Sequence, residues 1–278
     1  MMTNSNYQLN IKSIQCFHQI SDSLLNSIEK ESKLVKYKIG DSITQGDIIP
    51  NKILLILSGE VRLTTNASTN TETIAILKAG SFIGLASFLR AVPCESTSAM
   101  NDLLILSIPD TLILNIYQTD LHFKNWCDKT IQPIEVYELL KASFKNKKNQ
   151  EYKSLINQLI KLLSVEAINN GEIIKQQKDI VKLIGSGNFI DKEIGDISSA
   201  NQKTNLRGLL PARIFSIDAD SHNNFFNKDK RDKEINSSTL SNIDMEDRSI
   251  IFSNSSLPIG QYESKKEFKF IKATGTVR

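Results

Sequence analysis

The sequence predicts a mainly β fold with flanking helices, followed by a mostly irregular C-terminal region. Residues 12–130 carry short apolar runs that turn residues interrupt at intervals of about 8–12 positions, which is typical of a sandwich or barrel. Residues 131–168 have the apolar periodicity of helices. From residue 169 onward the chain is polar and irregular, and little regular structure is expected there.

The composition fits a protein of one or two ordinary domains. Of the 278 residues, 40% are hydrophobic and 23% are charged, which is enough apolar material for a sizeable core. The net charge is only +3 and the basic residues are scattered, so we expect no nucleic-acid partner. No apolar run approaches the roughly 18 residues of a membrane span, and no secretory signal is present, so we expect a cytoplasmic protein without direct membrane insertion.

The three cysteines and three histidines are far apart and show no metal-ligand spacing. We expect Cys16, Cys94 and Cys127 to be buried or free thiols in a reducing compartment. No acid–base constellation is recognisable either. The sequence therefore predicts no metal site and no enzymatic activity.

The β-rich part begins with helical segments. Apolar positions between residues 13 and 30 have helical spacing, and Ser21 is a candidate N-cap for the second of two helices. Strands are then predicted in runs that end near turn residues, at 34–39, 42–45, 53–57, 61–65, 72–77 and 103–108. Between the last two strands, residues 84–92 fit one or two helical turns that Pro93 terminates.

Three further helices are predicted after the strands. Residues 111–129 have an amphipathic pattern, and residues 131–144 and 152–168 continue the helical periodicity. The last helix carries a wide apolar stripe from Leu155 to Leu163. That stripe predicts packing either on the chain's own strands or on a protein partner, such as a second copy in a homodimer.

The order of turns and strands over residues 12–145 resembles the cyclic-nucleotide-binding domain. This domain is shared by catabolite-activator-type regulators, protein-kinase regulatory subunits and gated channels. The resemblance rests on residues 45–47, 57–61, 80–84, Pro93 and the pair Ser96-Thr97. It implies a β-roll (jelly roll) flanked by helices, with a phosphate cassette at residues 84–97.

In the resembling family the phosphate cassette reads Phe-Gly-Glu, a short helix, Pro-Arg and then Thr or Ser. The resemblance implies that the helix N-terminus and the arginine hold the cyclic phosphate, while the glutamate accepts a bond from the ribose hydroxyl. Aligned on Gly84 and Pro93, Leu85 replaces the glutamate, Cys94 replaces the arginine, and Glu95 would repel a phosphate. Each lost bond to a charged group costs about 1.5–3 kcal/mol, so affinity should fall roughly a hundredfold or more.

This pattern defines a degenerate ligand site. Its candidate residues are Gly84, Leu85, Ala86, Ser87, Arg90, Cys94, Glu95 and Thr97. The helix N-terminus and the Ser87 hydroxyl remain able to contact an anion, whereas Arg90 lies one turn into the helix and is expected to point away. We expect no cofactor, and binding of cyclic AMP or cyclic GMP by a genuine sensor with an unusual pocket remains the alternative.

Composition divides the rest of the chain into a helical extension (146–170), a polar and partly disordered linker (171–262) and a short C-terminal strand segment (263–278). Residues 178–184 fit a strand or a helix, and the glycine-rich residues 185–192 fit a turn rather than a phosphate loop. Residues 198–207 lack the apolar periodicity of a helix-turn-helix. A Crp/Fnr-type transcription regulator without that motif is therefore the second alternative.

Residues 88–95 and 268–278 are similar to a cyanobacterial group of bacteriocin-type peptide exporters. These are ATP-binding-cassette (ABC) transporters with a cyclic-nucleotide-binding-like domain in front of a cysteine-peptidase-like domain. The similarity implies the front section of such an exporter, encoded separately or truncated, with the exporter's membrane or peptidase-like domains as partners at the cytoplasmic face. The sequence thus predicts a non-enzymatic regulatory or docking module that does not bind cyclic nucleotide in the usual way.

Overall fold

The computed structural model describes residues 11–64, 72–143, 152–199, 201 and 203–226. Within these residues the chain forms two four-stranded antiparallel sheets, a set of helices and a three-stranded sheet. The prediction of a mainly β fold with flanking helices is confirmed. No helix in these ranges combines the length and the apolar composition that a membrane crossing requires.

Eight strands form the β-roll. They are β1 (Lys33–Tyr37), β2 (Ser42–Thr44), β3 (Lys52–Ser58), β4 (Val61–Thr64), β5 (Thr73–Leu77), β6 (Phe82–Ile83), β7 (Ser96–Ala99) and β8 (Leu103–Pro109). One sheet has the order β1-β8-β3-β6 and the other has the order β2-β7-β4-β5. The chain passes between them at Gly59, whose φ is +94°. A Cβ atom added at this position would lie 2.7 Å from the Asp102 carbonyl oxygen, so the turn requires glycine.

Strand β3 is buried on both faces, which explains its unbroken apolar sequence. Leu54 and Ile56 face an inner core between the two sheets, whereas Ile53 and Leu55 face an outer core beneath the helices. Strand β8 alternates between the two cores in the same way. The inner core includes Ile43, Val61, Leu63, Ile74 and Ile105, and the outer core includes Phe17, Phe82, Leu85, Ile113 and Phe123.

The helices follow two 3-10 turns at Ile11–Ser13 and Gln15–Phe17. They are α1 (Asp22–Glu31), α2 (Leu85–Arg90), α3 (Asp110–Thr119), α4 (Leu121–Lys129), α5 (Pro133–Ser143), α6 (Tyr152–Leu162) and α7 (Ala219–Phe226). The predicted cap at Ser21 is confirmed, because its hydroxyl accepts the Leu24 N–H at 3.3 Å. The amphipathic segment predicted over 111–129 is two helices, since Asp120 leaves the helical conformation and caps α4 through the Phe123 N–H.

The apolar stripe on α6 packs on the chain's own roll. Ile156 and Leu159 are buried in the inner core, and α6 contacts both α5 and β5. Of the two expectations for this stripe, packing on the chain's own strands is confirmed. Ile156, Leu159 and Leu163 are therefore covered by the chain itself, whereas Leu162 stays exposed.

A three-stranded antiparallel sheet lies where the sequence suggested the end of a helix and a polar linker. Its strands are β9 (Ser164–Ile168), β10 (Ile180–Ile184) and β11 (Ala212–Asp218), in the order β10-β11-β9. The structure thus differs from the helix expected to residue 168 and from the linker expected from residue 171. Its small core joins seven residues separated by long polar stretches, namely Ile168, Ile174, Ile184, Phe189, Leu206, Ala212 and Ile214.

Local composition does not reveal such a core, because each apolar residue contacts partners that are distant in sequence. The expected linker beyond residue 226 and the strand expected over 263–278 lie outside the described residues.

Arg213 on β11 bonds this C-terminal sheet to the helices beside the roll. Its Nε and Nη2 donate to the two carboxylate oxygens of Glu135 on α5, at 2.6 and 3.1 Å. Nη1 donates to the Cys127 carbonyl oxygen at 2.8 Å and Nη2 also donates to that of Thr130 at 2.6 Å. Each guanidinium nitrogen therefore has an acceptor, and the two buried charges neutralise each other.

We expect removal of one partner of this pair to destabilise the fold strongly. Glu135→Gln leaves the buried guanidinium of Arg213 without its counter-charge, which should cost about 3–5 kcal/mol of unfolding free energy. The exposed pair Lys38–Asp102 provides the matched control, since Asp102→Asn should cost less than about 1 kcal/mol. Urea unfolding measures both values, and equal losses would contradict the role assigned to Arg213.

Candidate functional site

The phosphate cassette begins at the turn between β6 and α2. Gly84 has a φ of +86°, and a built Cβ would lie 2.8 Å from Pro50 Cγ, so this turn requires glycine. Helix α2 starts at Leu85 and ends after Arg90, where Ala91 adopts a left-handed conformation. This reversal returns the following segment to the first turn of α2.

The carboxylate of Glu95 lies against that first turn. Its Oε2 accepts the backbone N–H of Ser87 at 3.1 Å and the Ser87 hydroxyl at 2.9 Å. The backbone N–H of Gly84 also interacts with this carboxylate and helps to lower its pKa. Glu95 is only 4% exposed. Two donors that remained available for a ligand anion, the Ser87 N–H and hydroxyl, are therefore engaged by the chain's own side chain.

Two opposing effects act on the ionisation of Glu95. Burial raises the pKa of its carboxyl above the ordinary value, and the hydrogen bonds from Ser87 and Gly84 lower it. Burial is the larger effect, and the carboxylate of Glu135 adds to the rise. The folded protein therefore favours the neutral form of Glu95 more than the unfolded chain does.

The two positions that carry charged residues in the resembling family are apolar here. Leu85 is 1% exposed and packs in the outer core. Cys94 is also buried, and its thiol lies 3.3 Å from the Ser87 hydroxyl oxygen. Burial raises the pKa of the Cys94 thiol to about 12, so it is neutral at physiological pH. Neither side chain can offer a charge to a ligand.

Ala86 and Thr97, the other small residues of the predicted site, are also buried. Ala86 packs in the inner core. Thr97 on β7 shares a 2.7 Å hydrogen bond with the Thr44 hydroxyl, which also donates to the Glu95 carbonyl oxygen at 2.8 Å. These hydroxyl groups therefore fix the Glu95 segment in place.

Arg90 is directed to the C-terminal sheet. Its side chain is fully buried, and its Nε donates to the Gly185 carbonyl oxygen at 2.6 Å. In return, the Gly187 N–H donates to the Arg90 carbonyl oxygen at 2.9 Å. Helix α2 thus both donates a hydrogen bond to the turn after β10 and accepts one from it. Sequence reasoning missed these contacts because 95 positions separate Arg90 from Gly185.

The glycine-rich residues 185–192 form a turn in which the amides of both glycines are already used. The Gly185 N–H donates to the Arg213 carbonyl oxygen, and the Gly187 N–H donates to that of Arg90. A cavity of about 600 Å³ beside α5 has charges of both signs on its wall, from Glu138, Lys141, Lys192, Glu193 and Asp196. Among the described residues, no three metal-ligating side chains come together.

We expect the wild type to lose stability relative to the Glu95→Gln variant as the pH rises. The folded-state pKa of Glu95 is raised. The stability that this residue contributes to the folded state is therefore complete below the unfolded pKa of about 4.3 and is lost as the pH rises through the folded pKa. Urea unfolding of both proteins from roughly pH 4 to 8 measures this difference. The exposed Glu29→Gln on α1 controls for loss of a carboxylate, and a pH-independent difference for Glu95→Gln would refute the burial argument.

Comparisons with known proteins agree with this geometry. A family model of the cyclic nucleotide-binding domain matches residues 34–120. No curated protein shows significant similarity to the chain. Among solved structures, the regulatory domain of Toxoplasma gondii PKA with cAMP shares 11% identity over 81% of this chain and 94% of that chain, with a TM-score of 0.38.

Two bacterial structures show comparably weak likeness. The Thermus thermophilus catabolite activator protein shares 21% identity over 40% of this chain and 53% of its own, with a TM-score of 0.35. A cyclic nucleotide-binding-like protein from Brucella abortus shares 12% identity over 38% and 93%, with a TM-score of 0.34. The family model and the topology of the roll, rather than these scores, support the comparison: residues 34–120, less than half of the chain, match the model of the cyclic nucleotide-binding domain and form a β-roll of that type.

Proposed function

We propose that this chain is a non-enzymatic regulatory or docking module whose cyclic-nucleotide-binding domain does not bind cyclic nucleotide in the usual way. One observation carries the proposal. The Glu95 carboxylate accepts the hydrogen bonds of the Ser87 N–H and hydroxyl, which a cyclic phosphate would need. The chain supplies its own occupant for the phosphate cassette.

A nucleotide would have to displace Glu95 before its phosphate could reach these donors. Displacement leaves a buried carboxyl group without partners, which costs at least about 1–3 kcal/mol. It also brings the negative charge of the phosphate close to that carboxyl, which disfavours its ionised form. Leu85 and Cys94 offer no compensating charge. Since every 1.4 kcal/mol is tenfold in affinity, these costs together with the missing arginine predict binding at least about a hundredfold weaker than in an intact cassette.

The bonds between α2 and the C-terminal sheet support a fixed rather than a switching cassette. Arg90 and the 185–187 turn exchange hydrogen bonds in both directions. A module held in one arrangement without nucleotide would present a constant surface to a protein partner, and a second copy of the chain is one such partner. We place this function in the cytoplasm, on the expectation from its sequence.

Calorimetry with cyclic AMP and cyclic GMP tests the proposal directly. We expect the wild type to show no heat of binding that corresponds to a Kd below about 1 mM, because its donors are engaged and its arginine is absent. Micromolar binding of either nucleotide by the wild type would reverse the proposal in favour of a genuine sensor. That alternative is favoured by the retained Ser87 hydroxyl and the glycine turn at Gly84.

A gain-of-function variant tests which residues exclude the nucleotide. Cys94→Arg combined with Glu95→Ala restores the missing arginine and frees the Ser87 N–H. We expect cyclic AMP affinity to rise by about 10- to 100-fold over the wild type, the value of one charge-assisted hydrogen bond. Glu95→Ala alone serves as the control, and it should gain less because it supplies no positive charge. No gain in a folded double variant would locate the defect elsewhere in the cassette.

The second alternative, a Crp/Fnr-type transcription regulator, requires a helix-turn-helix after about residue 150. In the described part of that region, α6 is followed by β9 rather than by a second helix. We expect no retardation of duplex DNA in a gel-shift experiment at low salt. Binding that weakens with rising salt would contradict this expectation.

A finer proposal makes the module the front section of an ABC-type peptide exporter. Its support is the sequence similarity of residues 88–95 and 268–278 to that group of exporters. The partner would then be the exporter's membrane or peptidase-like domains. Inspection of the downstream reading frame for membrane spans, followed by co-purification with its product, tests this proposal. A downstream frame without such spans, or a failure to co-purify, would count against it.

A further inference from the structure

The strands of the C-terminal sheet repeat the order and the register of strands in the roll. Strand β8 lies between β1 and β3, and strand β11 lies between β9 and β10 in the same way. The equivalent residue pairs are Lys33↔Ser107 and Ser164↔Ser216, Tyr37↔Leu103 and Ile168↔Ala212, Lys52↔Pro109 and Ile180↔Asp218, and Ile56↔Ile105 and Ile184↔Ile214. The connection from β3 to β8 is much longer than that from β10 to β11, so connection length does not impose this agreement.

The helices before and after these strands are equivalent as well. A single residue separates α1 from β1, and a single residue separates α6 from β9. Strand β8 continues directly into α3, and β11 continues directly into α7. The first amide of each following helix donates to the carbonyl oxygen just before the neighbouring strand, from Asp110 to Asn51 at 3.2 Å and from Ala219 to Asp179 at 2.9 Å. The repeat therefore extends from helix to helix.

The turns in the two regions share hydrogen bonds at equivalent positions. After β1, the Lys38 N–H donates to the Asp41 carboxylate at 2.7 Å. After β9, the Asn169 N–H donates to the Glu172 carboxylate at 3.0 Å. Further equivalent contacts are the pairs Ser42↔Ser98 and Ile173↔Lys203, the pairs Leu55↔Phe82 and Leu183↔Ile197, and the bonds from Gly80 to Ile56 and from Gly195 to Ile184.

The burial of side chains follows the same equivalence. On β3, Ile56 faces the inner core and Leu55 faces the outer core beneath the helices. On β10, the equivalent Ile184 faces the small core of the C-terminal sheet, and Leu183 faces the opposite side with α5 and α6. A shift of one residue would exchange these faces, so the burial pattern supports the register independently.

Two segments of the roll have much shorter equivalents in the C-terminal region. In the roll, residues 57–79 contain the β4–β5 hairpin, and residues 84–97 form the phosphate cassette. The equivalent contacts on either side limit their counterparts to residues 185–194 and residues 199–202. The second of these is too short for a helical turn that is followed by a returning segment. The C-terminal region therefore lacks a phosphate cassette.

The turn that replaces the hairpin is the part of the C-terminal region that bonds to α2. Arg90 donates to the Gly185 carbonyl oxygen, and the Gly187 N–H donates to the Arg90 carbonyl oxygen. A Cβ atom added at Gly187 would lie 3.0 Å from Val92 Cβ, so glycine permits the close approach. We infer that residues 152–226 are a second copy of the roll, which has lost its own phosphate cassette and binds the cassette helix α2 of the first copy.

Native-state amide hydrogen exchange of the full chain, followed by NMR, tests the repeat. Strands β1 and β9 are each paired on one side only, so alternate amides of each strand should exchange slowly. We expect the slow amides of β9 at the equivalents of the slow amides of β1, with Val165 equivalent to Leu34. Slow amides displaced by one residue, or a β9 without slow amides, would overturn the repeat.

The Gly187→Ala variant tests the contact with α2 in the same measurement. Its added methyl group crowds Val92, so α2 should open more often. We expect the Ser87 and Phe88 amides to exchange at least about tenfold faster, equivalent to about 1.4 kcal/mol, while the amides of β3 keep their wild-type rates. Leu209→Ala removes a side chain that is 82% exposed before β11, and this control should leave all of these rates unchanged.

Two results would overturn the contact with α2. One is unchanged exchange of the Ser87 and Phe88 amides in folded Gly187→Ala, and the other is an equal acceleration in β3, which would indicate a loss of overall stability. Adding Val92→Ala to Gly187→Ala restores the space and should slow the exchange again. If Gly187→Ala alone does not fold, a folded double variant supports the contact and an unfolded one contradicts it. These measurements use no nucleotide, so their failure is distinguishable from failure of the proposed function.

Discussion

The hydrogen bonds between Glu95 and the first turn of α2 determine how the ligand region of this domain is organised. They satisfy the Ser87 amide and hydroxyl, and they hold the segment after Pro93 against the helix. Because the Glu95 side chain supplies an acceptor oxygen where a ligand anion would supply one, the turn is stable without a ligand. The bond from Thr44 to the Glu95 carbonyl oxygen fixes the same segment from the neighbouring strand β2. The family's ligand site is thereby converted into part of the domain's own packing.

The apolar neighbours follow from the same constraint. Because no ligand has to be neutralised by a charged side chain at this turn, apolar residues can occupy these positions. Leu85 packs in the outer core and Cys94 packs in the inner core. Arg90, freed from any role at the turn, reaches the C-terminal sheet instead. That sheet is also bonded to the helices through Arg213 and Glu135. Two buried arginines thus connect the roll to the C-terminal sheet, Arg213 through a carboxylate partner and Arg90 through the Gly185 carbonyl oxygen.

The sequence predicted the roll well because its signals are local. Turn glycines such as Gly59 and Gly84 are required by backbone conformation, and the apolar run of β3 reflects burial on both faces. The replacement of charged cassette residues was also visible in the sequence. The role of Glu95 as an internal occupant was not, because it depends on how the chain returns to α2 after Ala91. The C-terminal sheet was not predicted for a similar reason. Its core joins apolar residues that are separated along the sequence by polar segments resembling a linker.

Amide NMR spectra of the wild type during a cyclic AMP titration test the central claim most directly, since they report on the individual donors. The account predicts that the Ser87 and Gly84 amide resonances stay fixed at millimolar cyclic AMP and move only when Glu95 is titrated or replaced. Saturable shifts of these two amides with cyclic AMP would mean that the nucleotide displaces the carboxylate, and the account would then be wrong.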